Sequence, residues 1–429
     1  MHKGYKQSEL LLSRALKVIP LGAQTYSKSM TQFPFGVSPY FLERGNGSHV
    51  WDVDGHEYID FINSLAAITL GYNDPDVTQA VAAQLNDGVI FSLSHPLETA
   101  VAEKIIEMVP CAEMVRFGKN GSDATSGAIR LARAYTSREH VAVCGYHGWQ
   151  DWYIGSTTRD LGVPECTKQL VHPFIYNDLA SLEHIFSQYP DQIAAVIMEP
   201  MNTTWPKDDF LKKVNHLAKS HGALFILDET ITGFRFAAGG AQAYFDLQPD
   251  LATFGKGVAN GYPLSVIAGR RDIMELMKDI FFSFTFGGET LSLAAALATL
   301  NKIQQQPIIN TLIAQGEKVT SGVNALIQKH KMENIISLMG HPTWTFLIFH
   351  QVGTYTPLDI KTLWMQEILM RGILSLGTHN ISYAHSDDDI NRLIQVYDEV
   401  FPIIKEAVIN NKLELYLRCN PLKPLFKIR

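Results

Sequence analysis

Between about Ala80 and Leu300 the chain alternates stretches of helical periodicity with short apolar runs, HVAVCGY, AAVIMEP, ALFILDE, LATFGK and LSVIAG. Four to eight apolar residues closed by polar ones read as a buried strand or, on periodicity alone, as a short helix. Alternation with helices settles the choice for strands and predicts an α/β fold with a doubly wound, mostly parallel sheet. One of those helices carries apolar residues at Ala124, Ala128, Leu131, Ala132 and Tyr135, so Gly121 and Ser122 stand at its N-terminus. Ahead of this region, an amphipathic helix is predicted in the first twenty residues. Next comes YFLERGNGSHVWDVDGHEYIDF, where Asn46-Gly47 and Asp54-Gly55 separate β-rich runs. Such dipeptides predict type I′ turns in an antiparallel meander from Tyr40 to Phe61. QQQP, Gln304 to Pro307, marks a break before a second mixture of helices and strands reaching about Asn410. The expected division is residues 1–65, 66–305 and 306–429, with no internal repeat.

Composition narrows the class. The chain has 429 residues, 46% of them hydrophobic and 18% charged, which fits a globular protein too long for one hydrophobic core. Net charge is −7, from 36 basic and 43 acidic side chains, without a block of like charge. Nucleic acid is not an expected partner, because binding it needs a clustered basic footprint. Cys111, Cys144, Cys166 and Cys419 show neither zinc-site nor disulfide spacing. No metal is expected. Scattered thiols, no signal-peptide pattern and no run of about 20 apolar residues give the expectation of a cytoplasmic protein without a membrane partner. The basic tail from Tyr416 reads as a frayed or interface-docked end.

The chemistry gathers at predicted strand ends. AAVIMEP closes on Glu199, ALFILDE on Asp228, and LATFGKG delivers Lys256 between two glycines. Ends of neighbouring parallel strands share a crevice, so these three residues can meet. A partly desolvated lysine forms a Schiff base with a carbonyl. Gly121 and Ser122, at a helix N-terminus, offer an anion site, although Ser122 also reads as an ordinary N-cap. Tyr146 and His147 follow another strand, with the tyrosine able to stack on a flat ring or simply to pack. Glu199 reads equally as a site group or as part of a Glu-Pro turn, and Glu229 as serving the turn after Asp228. An aldehyde-binding lysine, an acid for a pyridine nitrogen, a ring-stacking aromatic and a phosphate cradle match pyridoxal 5'-phosphate.

With NGSDATSGAIRLAR, YHG, YNDLASLEHIFSQYP, FILDETITGFR and FGKGVANGYPL in this order, the sequence resembles the class III, fold-type I aminotransferases, and within them the glutamate-1-semialdehyde aminomutase subgroup. The resemblance implies a large pyridoxal phosphate-binding domain and a smaller α+β domain built from the N- and C-terminal segments. It implies Lys256 as aldimine lysine and proton shuttle, Asp228 on the pyridine nitrogen and Tyr146 on the ring. Gly121 and Ser122 would hold the phosphate, and Thr285 would reach the phosphate of the other subunit in a homodimer. His147 and Glu199 complete the expected cofactor-binding set. Small-molecule amino donor and carbonyl acceptor are the expected partners, with an intramolecular aminomutase as the alternative reaction.

Departures from the aminomutase pattern shift the expected substrate. Lys28 stands where that pattern has a carboxylate-binding arginine, and a point charge replaces a planar fork. A glutamate expected shortly before AHS at Ala384 to Ser386 is absent, and the loop after YHG is shorter and aromatic. Trp149 and Trp152 there read as substrate-side walls or as packing. The expected acceptor is therefore not a small dicarboxylate but a sugar or another polar carbonyl compound. GGET, in place of the usual GGNP, leaves Glu289 without a derived role, and Arg235 reads as a brace for a loop or a contact.

Overall fold

The computed structural model describes residues 4–424, so Leu425–Arg429 at the end of the basic tail lie outside the described residues. The chain divides into two compact units. Among the described residues, one contains 4–65, Leu70–Asp74 and 310–424, and the other contains Ala66–Thr69 and Pro75–Ile309.

The first three strands belong to the first unit: β1 (Leu42–Asn46), β2 (His49–Asp52) and β3 (Glu57–Asp60). Seven form the second unit's sheet: β4 (Met114–Gly118), β5 (His140–Cys144), β6 (Val171–Pro173), β7 (Ile193–Met198), β8 (Leu224–Asp228), β9 (Leu251–Phe254) and β10 (Ser265–Gly269). The first unit resumes with β11 (Ile336–His341), β12 (Trp344–Phe349), β13 (Ile373–Leu374) and β14 (Thr378–Asn380).

In the first unit β1, β2 and β3 run antiparallel, as the meander reading expects, and β13 joins β3 in parallel. The turn chemistry differs from the expectation. Asn46 pairs with His49, so the two-residue loop is Gly47-Ser48, and only Gly47 has positive φ. At the second turn Asp54 is not left-handed; Asp52 Oδ1 accepts from Asp54 N at 3.0 Å and His56 N at 2.8 Å, and this side-chain clasp replaces the type I′ geometry. A second sheet runs β11-β12-β14, and β11 and β12 are antiparallel.

The second unit's sheet has the order β4-β10-β9-β8-β7-β5-β6. From β9 to β6 all neighbours are parallel; β10 runs antiparallel to both β9 and β4. Side chains alternate between two cores. Val141, Val143, Ala195, Ile197, Leu224 and Ile226 enter the one shared with the Gly121–Thr136 helix, while Ala142, Val196, Met198, Phe225 and Leu227 enter the one beneath the Leu179–Gln188 and Phe210–Ser220 helices. Both faces are dry, which is why these strands read as unbroken apolar runs. Each fully buried Phe, Leu or Ile contributes about 1.5–3 kcal/mol. Polar residues are accordingly displaced to the strand ends.

Candidate active site

Consecutive parallel strands β9, β8, β7 and β5 put four carboxyl ends side by side. Asp228 is level with Thr253, and Met198 is level with both Leu227 and Cys144. One step beyond β7 stands Glu199, one beyond β5 is Gly145, and two beyond β9 is Lys256.

Asp228 is the most constrained of these groups. Only 4% exposed, it accepts from Thr230 N at 3.1 Å, Thr230 Oγ1 at 2.6 Å and Thr253 Oγ1 at 3.1 Å, all on Oδ1. His147 Nδ1 lies 2.8 Å from Oδ2. Burial works against the carboxylate's charge, but His147 and the two Thr230 bonds outweigh it and hold the group below the usual range. An ionised carboxylate only accepts, so Nδ1 carries the hydrogen and His147 Nε2, buried without a partner among the described residues, completes the ring. Thr125 Oγ1 donates to the His147 carbonyl at 2.7 Å and fixes the loop from below.

Lys256 sits partly buried with φ of 43°, just after Gly255. Desolvation lowers its pKa, the Glu199 and Asp228 charges oppose that effect, and Arg235 adds to it. The amine and both carboxylates therefore share one electrostatic neighbourhood. Glu199 Oε2 accepts from Tyr146 N at 3.0 Å, and burial beside Asp228 raises its pKa. That bond ties the end of β7 to the loop that carries Tyr146. Gly145, at φ 109°, allows it, because a Cβ there would lie 2.4 Å from Glu199 Oε2.

Tyr146 is 47% exposed and meets Tyr153 edge-on at 5.6 Å. At the Gly121–Thr136 helix the N-cap is Asn120, not Ser122: Asn120 Oδ1 accepts from Asp123 N at 3.2 Å while Asp123 Oδ2 accepts from Asn120 N at 2.9 Å. Ser122, released from capping, accepts from Trp149 N at 3.2 Å through Oγ. Gly121 and Gly255 approach each other beside Thr230; a Cβ on Gly121 would stand 3.1 Å from Thr230 Cγ2. The first N–H groups of that helix have no intrahelical acceptor.

Other expected residues go elsewhere. Trp152 is a core residue whose Nε1 donates to Ser126 Oγ at 2.9 Å, which removes it as a substrate wall; Trp149 is 66% exposed. Thr285 is exposed in the 281–288 segment, on the wall of a cavity of about 800 Å³ with Phe91, Leu93 and Phe284, apart from the strand-end cluster. Lys28 belongs to the other unit, where its Nζ donates to Ser64 Oγ at 3.2 Å in a cavity of about 330 Å³. Glu229 serves the turn, as expected: it accepts from Thr232 Oγ1, Ala241 N, and Gln242 N and Nε2. Arg235 is buried and donates to Thr69 Oγ1 at 3.5 Å; burial brings its guanidinium down to about 10. Thr230 and Thr253 were missed from sequence, although the DET triplet puts a hydroxyl two residues past the acid.

Residues 33–343 match the family model described as aminotransferase class-III. The chain is 32% identical over 414 residues to a 3-aminobutyryl-CoA aminotransferase of Cloacimonas acidaminovorans (strain Evry), covering 94% of this chain and 98% of that one. Among solved structures it is similar to the FumI protein of Sphingopyxis sp. MTA144 in its PLP internal aldimine form, at 29% identity, TM-score 0.88, 97% of this chain and 99% of the other. An omega-transaminase from Sphaerobacter thermophilus matches at 25% identity, TM-score 0.83, over 93% and 98%. The chain belongs to the class III aminotransferases, with a fold-type I architecture. Its cofactor is pyridoxal 5'-phosphate, and its reaction takes an amino donor and an acceptor as small-molecule substrates. The residues present fit that group: a desolvated amine, an ionised buried carboxylate, a half-exposed tyrosine, and a helix end where the missing Cβ of Gly121 leaves room. No helix among the described residues is long and apolar enough to cross a membrane.

Proposed function

We propose that Lys256, Asp228, His147, Tyr146, Glu199, Gly121 and Ser122 form the site of an intermolecular transamination. The observation that carries this reading is the meeting of the Lys256 amine with the His147-clamped Asp228 at adjacent strand ends. When bound, pyridoxal phosphate supplies the aldehyde carbon that takes up nitrogen and a ring that accepts the electrons released on loss of the substrate's α-proton. Lys256 Nζ, its pKa lowered by desolvation, removes that proton and returns it to the neighbouring carbon. Asp228 stays ionised and holds a proton on the pyridine nitrogen; His147 keeps the carboxylate in place. Tyr146 covers the ring, the N–H groups at Gly121 and Ser122 receive the phosphate, and Glu199 orients the Tyr146 loop.

The working unit of this proposal is a cytoplasmic homodimer in which Thr285 contributes to the partner's phosphate site. On the substrate side Lys28 and Trp149 remain the candidates for anionic and apolar contacts. The motifs shared with the aminomutase subgroup are read as common machinery, and the Cloacimonas relative supports an amine substrate without a free carboxylate next to nitrogen. In a test with amino donor alone, turnover stops after one equivalent per site and resumes on adding a carbonyl acceptor. Continued turnover without acceptor would instead identify an aminomutase.

A further inference from the structure

The GGET stretch, without a role in the sequence, joins two helix ends. Glu289 is the N-cap of the Thr290–Gln305 helix: Oε1 accepts from Leu291 N at 2.7 Å, and Oε2 from Ser292 N at 3.2 Å and Ser292 Oγ at 2.5 Å. The same Oε2 lies 2.9 Å from Lys119 Nζ, with both side chains under a fifth exposed, at 14% and 18%. Lys119 directly precedes Asn120, the N-cap of the Gly121–Thr136 helix, and its own N–H donates to Asp123 Oδ2 at 2.9 Å. Thr290, the first residue of the helix that Glu289 caps, anchors the same end, its Oγ1 donating at 2.9 Å to the Gly88 and Val89 carbonyls.

Capping alone does not require a carboxylate, since asparagine caps as well as aspartate does. The charge of Glu289 has a separate use, in Lys119. Paired in this way, the ammonium is neutralised locally, so its effect on an anion at the neighbouring helix end comes through the backbone that it anchors.

We propose that the Lys119–Glu289 ion pair is a positioning device that fixes the phosphate-receiving end of the Gly121–Thr136 helix against the N-terminus of the Thr290–Gln305 helix. This inference rests on the pyridoxal phosphate site proposed above. Lys119 and Glu289 are positioning residues; neither touches the reacting atoms.

The test titrates apoenzyme with pyridoxal phosphate and, separately, with pyridoxal, following tryptophan fluorescence. Lys119→Met and Glu289→Asn each weaken pyridoxal phosphate binding by about fivefold, the double variant weakens it no further, and pyridoxal binding is unchanged, as expected for coupled neighbours in one network. Lys119→Arg restores wild-type affinity. The inference is overturned if either single variant binds pyridoxal phosphate as wild type does, if Glu289→Asn alone has no effect (a direct role for the lysine charge), or if pyridoxal is weakened equally (general loosening). Wild-type apoenzyme that shows no preference for the phosphorylated form would overturn the phosphate site itself, and the inference with it.

Discussion

Lys256 holds a left-handed conformation, φ 43°, which a non-glycine residue keeps only where its surroundings over-determine it. Replacing it with alanine removes the amine without disturbing the Asp228 clamp, so the variant should fold, bind cofactor weakly, and lose at least about 10²-fold in transamination rate. Asp228→Ala is a different experiment. It strands the donors of Thr230, Thr253 and His147 in a buried pocket, and chemical denaturation of the apoprotein should show a loss of about 3 kcal/mol. For Glu199 the sign follows from its raised pKa: the folded state holds a proton that the unfolded state releases above its ordinary 4.5, so stability is lost as pH rises through the folded value. Glu199→Gln should match wild type at low pH and become the more stable apoprotein as pH increases, which denaturation midpoints at several pH values will show. At this scale the strand-end positions of Lys256, Asp228 and Glu199 were legible because each interrupts an apolar run. Thr253 was not, since a threonine inside LATF looks like any β-branched strand residue until the register with Asp228 is known.

The Tyr146–Gly148 loop is set by close approach. At Gly148, φ is 114° and a Cβ would lie 2.3 Å from Ser122 Oγ, so Gly148→Ala must push the loop off the helix end. The expected cost is about 1–3 kcal/mol, read as a lower melting temperature, accompanied by weaker cofactor retention. Element type was readable for the five inner strands, which are buried on both faces and write continuous apolar runs, but not for the edge strands β4 and β6, which are only partly buried. Direction was not readable. LSVIAG looks like its neighbours, yet β10 is antiparallel, since hydrogen-bond direction leaves no trace in hydrophobicity. Turn type was misread for a related reason: Asn46-Gly47 carried the signal, but pairing of Asn46 with His49 moved the loop one residue along. The cap at Asn120 also escaped notice, although Asn120 followed three residues later by Asp123 is the capping-box pattern with aspartate in the glutamate's place.

At the scale of the whole molecule, likeness over nearly the full chain to class III enzymes explains why the order of motifs carried more information than any one of them. Thr285 lies exposed and apart from the strand-end cluster within its own chain, so its proposed contribution to a partner's site needs a test of its own. Mixing Lys256→Ala with Thr285→Ala protein tests that share: a heterodimer regains one complete site, so the mixture should exceed the mean activity of its parents after subunit exchange, whereas unshared sites would give only that mean. The central claim, a covalent bond between cofactor and Lys256 beside the His147-clamped Asp228, is tested most directly by borohydride reduction of the holoenzyme, digestion and mass mapping. The account predicts a phosphopyridoxyl group on Lys256 in the wild type and none on the same peptide after Lys256→Ala; stoichiometric labelling of any other lysine in the wild type would contradict it.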